Sequence, residues 1–375
     1  MMNKLKISCL IALFSTFLLG GCGDDIRSKE FIVAAVVPKT GPIGYLGEQE
    51  VAGLELAAED INKKGGINGR KVRIKWEDTG GDIAKAVTAA NKLLLDGNVD
   101  MLFVTTTGAV KAIAPIAEAK GIPMFAMSSD IGITNLNRYL FRIYMNFDDE
   151  QRTLASYITN KGFNKIAILR PEDEAFIHSQ QALVKHLNPK IKDVVAFETF
   201  ARQDKSYRVQ IEKLLQKNPD CLVVLGYGPD YPTIIDQIKQ NPRSKNVAIV
   251  GGYAMLSRAA QQRGTEVFKN VPFVSFAAIT SPALQKFSSR VTDRLGRPAG
   301  QFLDYLFAYD ALMFVGHVAK SPDDSGQLMS AIEQSKNYEG VGGSYTFHNS
   351  RDATVPLAIA EFLNSDAQII WMPAQ

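Results

Sequence analysis

The chain is expected to fold as two α/β lobes, each built on a doubly wound sheet of mainly parallel strands. Short β-branched apolar runs alternate with amphipathic stretches of helical spacing, and the alternation divides into two series of similar size. Length agrees, because 375 residues exceed what one hydrophobic core usually serves.

The first series opens on "FIVAAVVP", Phe31 to Pro38, a continuous apolar run suited to a strand covered on both faces. The following helix places Val51, Leu54, Ala58 and Ile61 three or four residues apart and stops at Gly65-Gly66. "KVRIKWED" then reads as a strand, "DIAKAVTAANKLLLDG" as a helix, "DMLFV" as a strand, "AVKAIAPIAEAKG" as a helix and "PMFAM" as a strand. Near Phe147 a second series begins with the helix "DEQRTLASYITNKG". It continues through strands "KIAILR", "DVVAFETF", "CLVVLGY" and "NVAIVGGY", separated by helices at "AFIHSQQALVKHL", "YRVQIEKLLQKNP" and "YPTIIDQIKQN". The tail differs. Two helices and a third through "GQLMSAIEQSK" precede a glycine-rich turn, "GVGGSYTF", and a closing antiparallel pair, "PLAIAEFL" and "QIIWM". The tail helices are expected to return to the first lobe and the end pair to lie at the hinge or in the second.

At the N-terminus, Lys4 and Lys6 precede an apolar run from Ile7 to Leu19 and then small residues before Cys22. Residues 1–21 read as a secretion signal, too short and wrongly flanked for a permanent membrane helix. "LGGC" resembles the lipobox of bacterial lipoproteins, and that resemblance implies acylation of Cys22, with residues 22–30 as a polar tether. The protein is thus expected to be exported and lipid-anchored to a bacterial membrane, facing the periplasm or the cell exterior. Of three cysteines, only Cys221 would remain as a free thiol in the mature body, so no internal disulfide framework is expected. Its place in "CLVVLGY" suits a small buried hydrophobe. The 42 basic and 39 acidic residues nearly balance, which gives no reason to propose a nucleic-acid partner.

In open α/β sheets the ligand crevice lies beyond the carboxyl ends of the strands, near helix N-termini that favour anions. That rule marks Thr105, Thr106 and Thr107 after "DMLFV", and Ser128, Ser129 and Asp130 after "PMFAM". Hydroxyls and the N–H groups of a helix starting at Gly108 or Ala109 suit a carboxylate, and Asp130 suits an ammonium.

The stretches from "GPIGYLGEQEVAGLELAAEDINKKGGINGRKVRIKWED", "APIAEAKGIPMFAMSS" and "GVGGSYTFHNSRD" resemble the substrate-binding proteins of branched-chain amino-acid type ABC transporters, over nearly the whole mature chain. The resemblance implies two Rossmann-like lobes with parallel sheets joined by a three-crossing hinge, residues 31–147 with 277–343 as one and 148–276 with 344–375 as the other. It also implies that the lobes close on a small molecule and deliver it to a permease. Carried over by position, the hydroxyl that grips the ligand carboxylate falls on Thr107 or Thr106, the second-strand contact on Ser128, and the covering aromatics near Phe176 and Tyr227. A threonine two residues beyond Ser128 is replaced by Asp130. The acid that usually takes the ammonium, after "NVAIVGG", is Tyr253 here. Either Asp130 has taken over that contact, or the ligand lacks an ammonium and is another small carboxylate, amide or aromatic acid. The family's disulfide near the first cleft loop has no counterpart.

An enzyme is the disfavoured reading: His178, His186, His317 and His348 are dispersed, no G-x-S-x-G elbow is present, and "GVGGSYTF" lacks the lysine of a phosphate loop. His178 and His186 are expected to be solvent-exposed. Asp148, Asp149 and Glu150 are expected to favour the positive end of a helix. A sensor module is the remaining alternative to a transport protein. The chain is expected to act as a monomer without cofactor or metal.

Overall fold

Seven consecutive apolar residues, Phe31 to Val37, are buried in β1 (Glu30–Val37), the strand on which the first sheet is built. The computed structural model describes residues 30–373, apart from 96, 188–192, 202–203, 262–263, 301–302, 320–324 and 348–350. The signal segment, Cys22 and all but the last residue of the tether lie outside the described residues.

After β1 come α1 (Gly44–Lys63), β2 (Lys71–Asp78), α2 (Ile83–Leu94), β3 (Met101–Thr105), α3 (Thr107–Lys120), β4 (Met124–Met127) and β5 (Leu140–Phe141). The five strands form a parallel sheet in the order β2-β1-β3-β4-β5. Alternation along β1 explains its all-apolar sequence: Ala34 and Val36 pack with α2 and α3, whereas Val33, Ala35 and Val37 join the core that holds α1.

The second series runs α4 (Phe147–Lys161), β6 (Lys165–Pro171), α5 (Glu174–His186), β7 (Asp193–Phe200), α6 (Arg208–Leu215), β8 (Cys221–Val224), α7 (Tyr231–Gln240), β9 (Ala248–Gly251), the short α8 (Arg258–Gln261) and β10 (Phe273–Phe276). The tail adds α9 (Pro282–Leu295), α10 (Asp304–Val318), α11 (Ser325–Gln334), β11 (Asn337–Gly340), β12 (Gly343–Phe347), β13 (Ala353–Thr354), β14 (Leu357–Leu363) and β15 (Asp366–Trp371). The second sheet has the order β15-β14-β10-β9-β8-β6-β7, parallel from β7 to β10 and closed by the antiparallel β14 and β15. The end pair therefore completes this sheet. β10 is an element the sequence pattern does not separate, because four residues are too few to show a period. Cys221 is fully buried, and burial pushes its thiol well up, in keeping with a packing role.

Helices α9 and α10 return to pack against α1. The approach is close: a Cβ on Gly53 would lie 2.1 Å from the Tyr305 carbonyl oxygen, so only glycine lets these backbones meet.

The chain thus passes between the sheets three times, and the three passages are bonded to one another. Arg142 N donates to Arg351 O at 2.8 Å, Ala353 N to Arg142 O at 2.9 Å, and Ala277 N to Pro356 O at 2.9 Å. Arg142 itself is fully buried there. Its Nε donates to Asp352 Oδ1 at 2.8 Å, its second terminal nitrogen also reaches Asp352, and Nη1 donates to Ser128 O at 2.6 Å and Asp130 O at 2.8 Å. One side chain therefore ties the crossings to the loop after β4.

Candidate functional site

The carboxyl ends of β3 and β4 supply the hydroxyl wall of a cavity of about 480 Å³, within the size range of small-molecule sites. α3 starts at Thr107, one residue before the earliest expected start, because Thr106 is its cap and accepts from Ala109 N at 3.4 Å. Thr106 sits at φ +80, a costly conformation for a β-branched residue, of the kind that concentrates at ligand sites. Thr107 Oγ1 and Ser128 Oγ are 2.8 Å apart, and Ser128 Oγ accepts from Asp130 N at 3.2 Å. The first-turn amides of α3 and the Lys111 side chain share this wall, which makes it receptive to a carboxylate.

The strand ends and loops of the second sheet supply the opposite wall. Phe176, at the start of α5, meets the Tyr227 ring edge-on at 5.0 Å and the Phe147 ring at 5.4 Å. Tyr253 follows β9, and its hydroxyl lies 2.8 Å from that of Tyr144, which in turn donates to Asp304 Oδ1 at 3.1 Å. Of the eight positions expected to contact a ligand, Thr106, Thr107, Ser128, Ser129, Phe176, Tyr227 and Tyr253 all line this one cavity.

Asp130 does not line it. Its carboxylate is 3.0 Å from Lys111 Nζ through one oxygen and 3.0 Å from His178 Nδ1 through the other. Burial alone would raise its pKa, but the hydrogen bonds from His178 and Lys111 outweigh that and hold it below the ordinary carboxylate value. The cationic partner that a buried carboxylate requires is thus supplied by the protein. His178 and His186 are accordingly not solvent-exposed as expected. Both are half-buried, His178 on Asp130 and His186 with Nε2 3.0 Å from Asp148 Oδ1, because each lies on the α5 face turned toward a carboxylate.

Sequence reasoning missed Tyr45, Lys111, Tyr144, Phe147 and Glu150. Tyr45 follows β1, where the strand-end rule applied equally well. Asp78 shapes that loop by accepting from Lys39 N at 2.7 Å, Thr40 Oγ1 at 2.6 Å and Gly80 N at 2.9 Å. Although burial opposes it, these donors draw the Asp78 carboxyl down to about 2.

Glu150 is the larger omission: with Asp148 and Asp149 it stands in the first turn of α4 as expected, but it also faces the cavity. Asp148 and Asp149 do take partners outside the core, His186 and Arg152, but Glu150 is 3% exposed and lines the cavity. The signal was its spacing: Leu154, Tyr157 and Ile158 lie four, seven and eight residues on, which puts Glu150 on the buried face of α4. Its Oε1 accepts from Tyr253 N at 2.8 Å, and burial pushes its carboxyl up to about 7. A Cβ on Gly252 would stand 2.7 Å from that oxygen and 2.9 Å from the Tyr231 hydroxyl, so the glycine before Tyr253 leaves room for the acid. Two further acids lie behind the tyrosines. Glu50 on α1 accepts from Thr105 Oγ1 at 2.6 Å, and burial together with the Asp304 charge raises it well above its usual value. Burial raises Asp304 to about 7.

Over residues 31–367 the sequence matches the family described as periplasmic binding protein. The Leu/Ile/Val-binding protein BraC3 of Rhizobium johnstonii is 24% identical over 354 residues, which cover 92% of this chain and 95% of that one. The fold is similar to the branched-chain amino acid transporter substrate binding protein LivJ of Streptococcus pneumoniae in complex with isoleucine. The TM-score is 0.77, at 23% identity, with 90% of this chain and 98% of that one covered. It is also similar, at TM-score 0.77 and 18% identity over 92% and 97% of the two chains, to an ABC transporter solute binding protein of Rhodopseudomonas palustris in complex with 3,4-dihydroxy benzoic acid.

Proposed function

Because the chain belongs to the periplasmic binding protein family, we propose that it binds a small amino acid in the cavity between its two sheets and hands it to an ABC transporter permease. One observation carries the ligand class: the cavity sets hydroxyls, helix-terminal amides and Lys111 on one wall against the buried Glu150 on the other, with aromatic side chains between. That is the complement of a zwitterion with an apolar side chain. The name of the Rhizobium relative points the same way.

On this reading the two sheets are the cores of two lobes, residues 31–147 with 277–343 and 148–276 with 344–375. The bonded passages at Arg142, Ala277 and Ala353 act as the hinge. Ligand favours the closed state because only there does it touch both walls. The protein acts as an exported monomer, held at the membrane by lipid on Cys22, and the site performs binding and release without a covalent step.

A thermal-shift screen against amino acids, amines, aromatic acids and short amides tests the ligand class. An aliphatic amino acid is expected to give the largest rise in melting temperature; a larger rise with an aromatic acid lacking an amine would contradict it. Thr107→Ala removes a hydroxyl from the carboxylate wall and is expected to weaken binding about tenfold or more, the loss of one hydrogen bond to a charged group. Calorimetry checks this, and equal affinity would remove Thr107 from the site.

A further inference from the structure

We propose that Glu150 accepts the ammonium group of the ligand, so that this chain draws its amine contact from the first turn of α4. The proposal rests on the amino-acid reading above and specifies the residue that makes it possible. A carboxylate can accept about four hydrogen bonds, and the Tyr253 amide at 2.8 Å takes only part of that capacity while the side chain faces the cavity. No lysine, arginine or histidine among the described residues acts on it: burial raises its carboxyl, and the Tyr253 amide at 2.8 Å opposes that. An acid left in that state either stays protonated or receives a cation from outside.

The groups around Glu150 reinforce this. The Tyr231 hydroxyl approaches from α7 and Tyr253 from the turn after β9, and behind Tyr253 stand the Tyr144 hydroxyl and Asp304 of α10. All are neutral hydroxyls or acids, so these groups offer no cation to compete with an ammonium. Asp130 cannot serve instead without releasing Lys111 or His178. Tyr253 occupies the position where an acid was expected, and its backbone amide holds Glu150 in place. The acid is therefore supplied from another element rather than lost.

The test measures leucine and its des-amino analogue 4-methylpentanoate on the purified full chain, by calorimetry with displacement for the weaker ligand. Wild type, Glu150→Gln and Asp130→Asn are compared at pH 8. Wild type is expected to favour leucine at least tenfold, and Glu150→Gln to erase most of that preference by weakening leucine while leaving 4-methylpentanoate within about threefold. Retention of the preference in Glu150→Gln, or its loss in Asp130→Asn alone, overturns the assignment while leaving the amino-acid reading intact. Equal loss of both ligands in Glu150→Gln marks a structural role and also overturns it. If wild type shows no preference, the amino-acid reading itself fails and this assignment with it.

Discussion

Replacing Arg142 with methionine is expected to cost about 3 to 5 kcal/mol of folding stability, the range for removing one partner of a buried, hydrogen-bonded charge pair. The guanidinium is fully buried and directs its donors to the Asp352 carboxylate and to the carbonyl oxygens of Ser128 and Asp130. Methionine keeps an apolar stem about as far as Nε and has no donor, so every one of these hydrogen bonds is lost together with the end of the guanidinium. Urea unfolding of the purified protein measures it. Because the same side chain links the crossings to the Ser128 wall, ligand affinity should fall as well, even under conditions where the variant is fully folded. A cost below about 1 kcal/mol would mean that the hinge does not depend on this residue.

The second large effect is on pH. Glu150 rises from 4.5 to about 7 and Asp304 from 3.8 to about 7, both because burial penalises the charged form. Between the unfolded and folded values the native state holds more protons than the unfolded chain, so stability of the ligand-free protein rises as pH falls through 7 toward about 4. For Glu150 alone the full difference is on the order of 3 kcal/mol, with the penalty complete above pH 7. The melting temperature without ligand should therefore be higher at pH 5.5 than at pH 8, and Glu150→Gln should flatten the dependence. Asp78, drawn down to about 2, acts in the opposite sense, but its contribution is lost only as pH falls below about 4. An amine ligand reverses the neutral-range trend, because it binds the ionised form of Glu150. The gain in melting temperature from leucine should grow as pH rises through 7. A melting temperature without ligand that falls steadily from pH 8 to 5.5 would contradict the buried-acid account.

Much of the fold was legible because parallel strands buried on both faces are apolar without interruption, as in β1 and β8, and helices such as α1 carry their period plainly. β10 was not legible: at four residues it shows no period, and its pairing with β14 on one side and β9 on the other is what makes it a strand. At the site, position relative to strand ends located the hydroxyl wall and the aromatics of the second sheet. Side-chain direction decided the rest. Asp130 stands beside the right strand, yet its carboxylate turns to Lys111 and His178. Glu150 stands in a run of three acids that suits the positive end of a helix, while its register with Leu154 and Ile158 also turns it inward. Helix phase, more than charge type, decides where that carboxylate points.

The most direct test of the account is a calorimetric titration of the full chain at pH 8 with leucine, beside its des-amino analogue 4-methylpentanoate and its des-carboxy analogue 3-methylbutylamine. One-to-one binding of leucine, with each analogue at least tenfold weaker, is the predicted result, since each analogue leaves one wall of the cavity without its partner. Binding of either analogue as tightly as leucine, or tight binding of 3,4-dihydroxybenzoate without any of leucine, would contradict it.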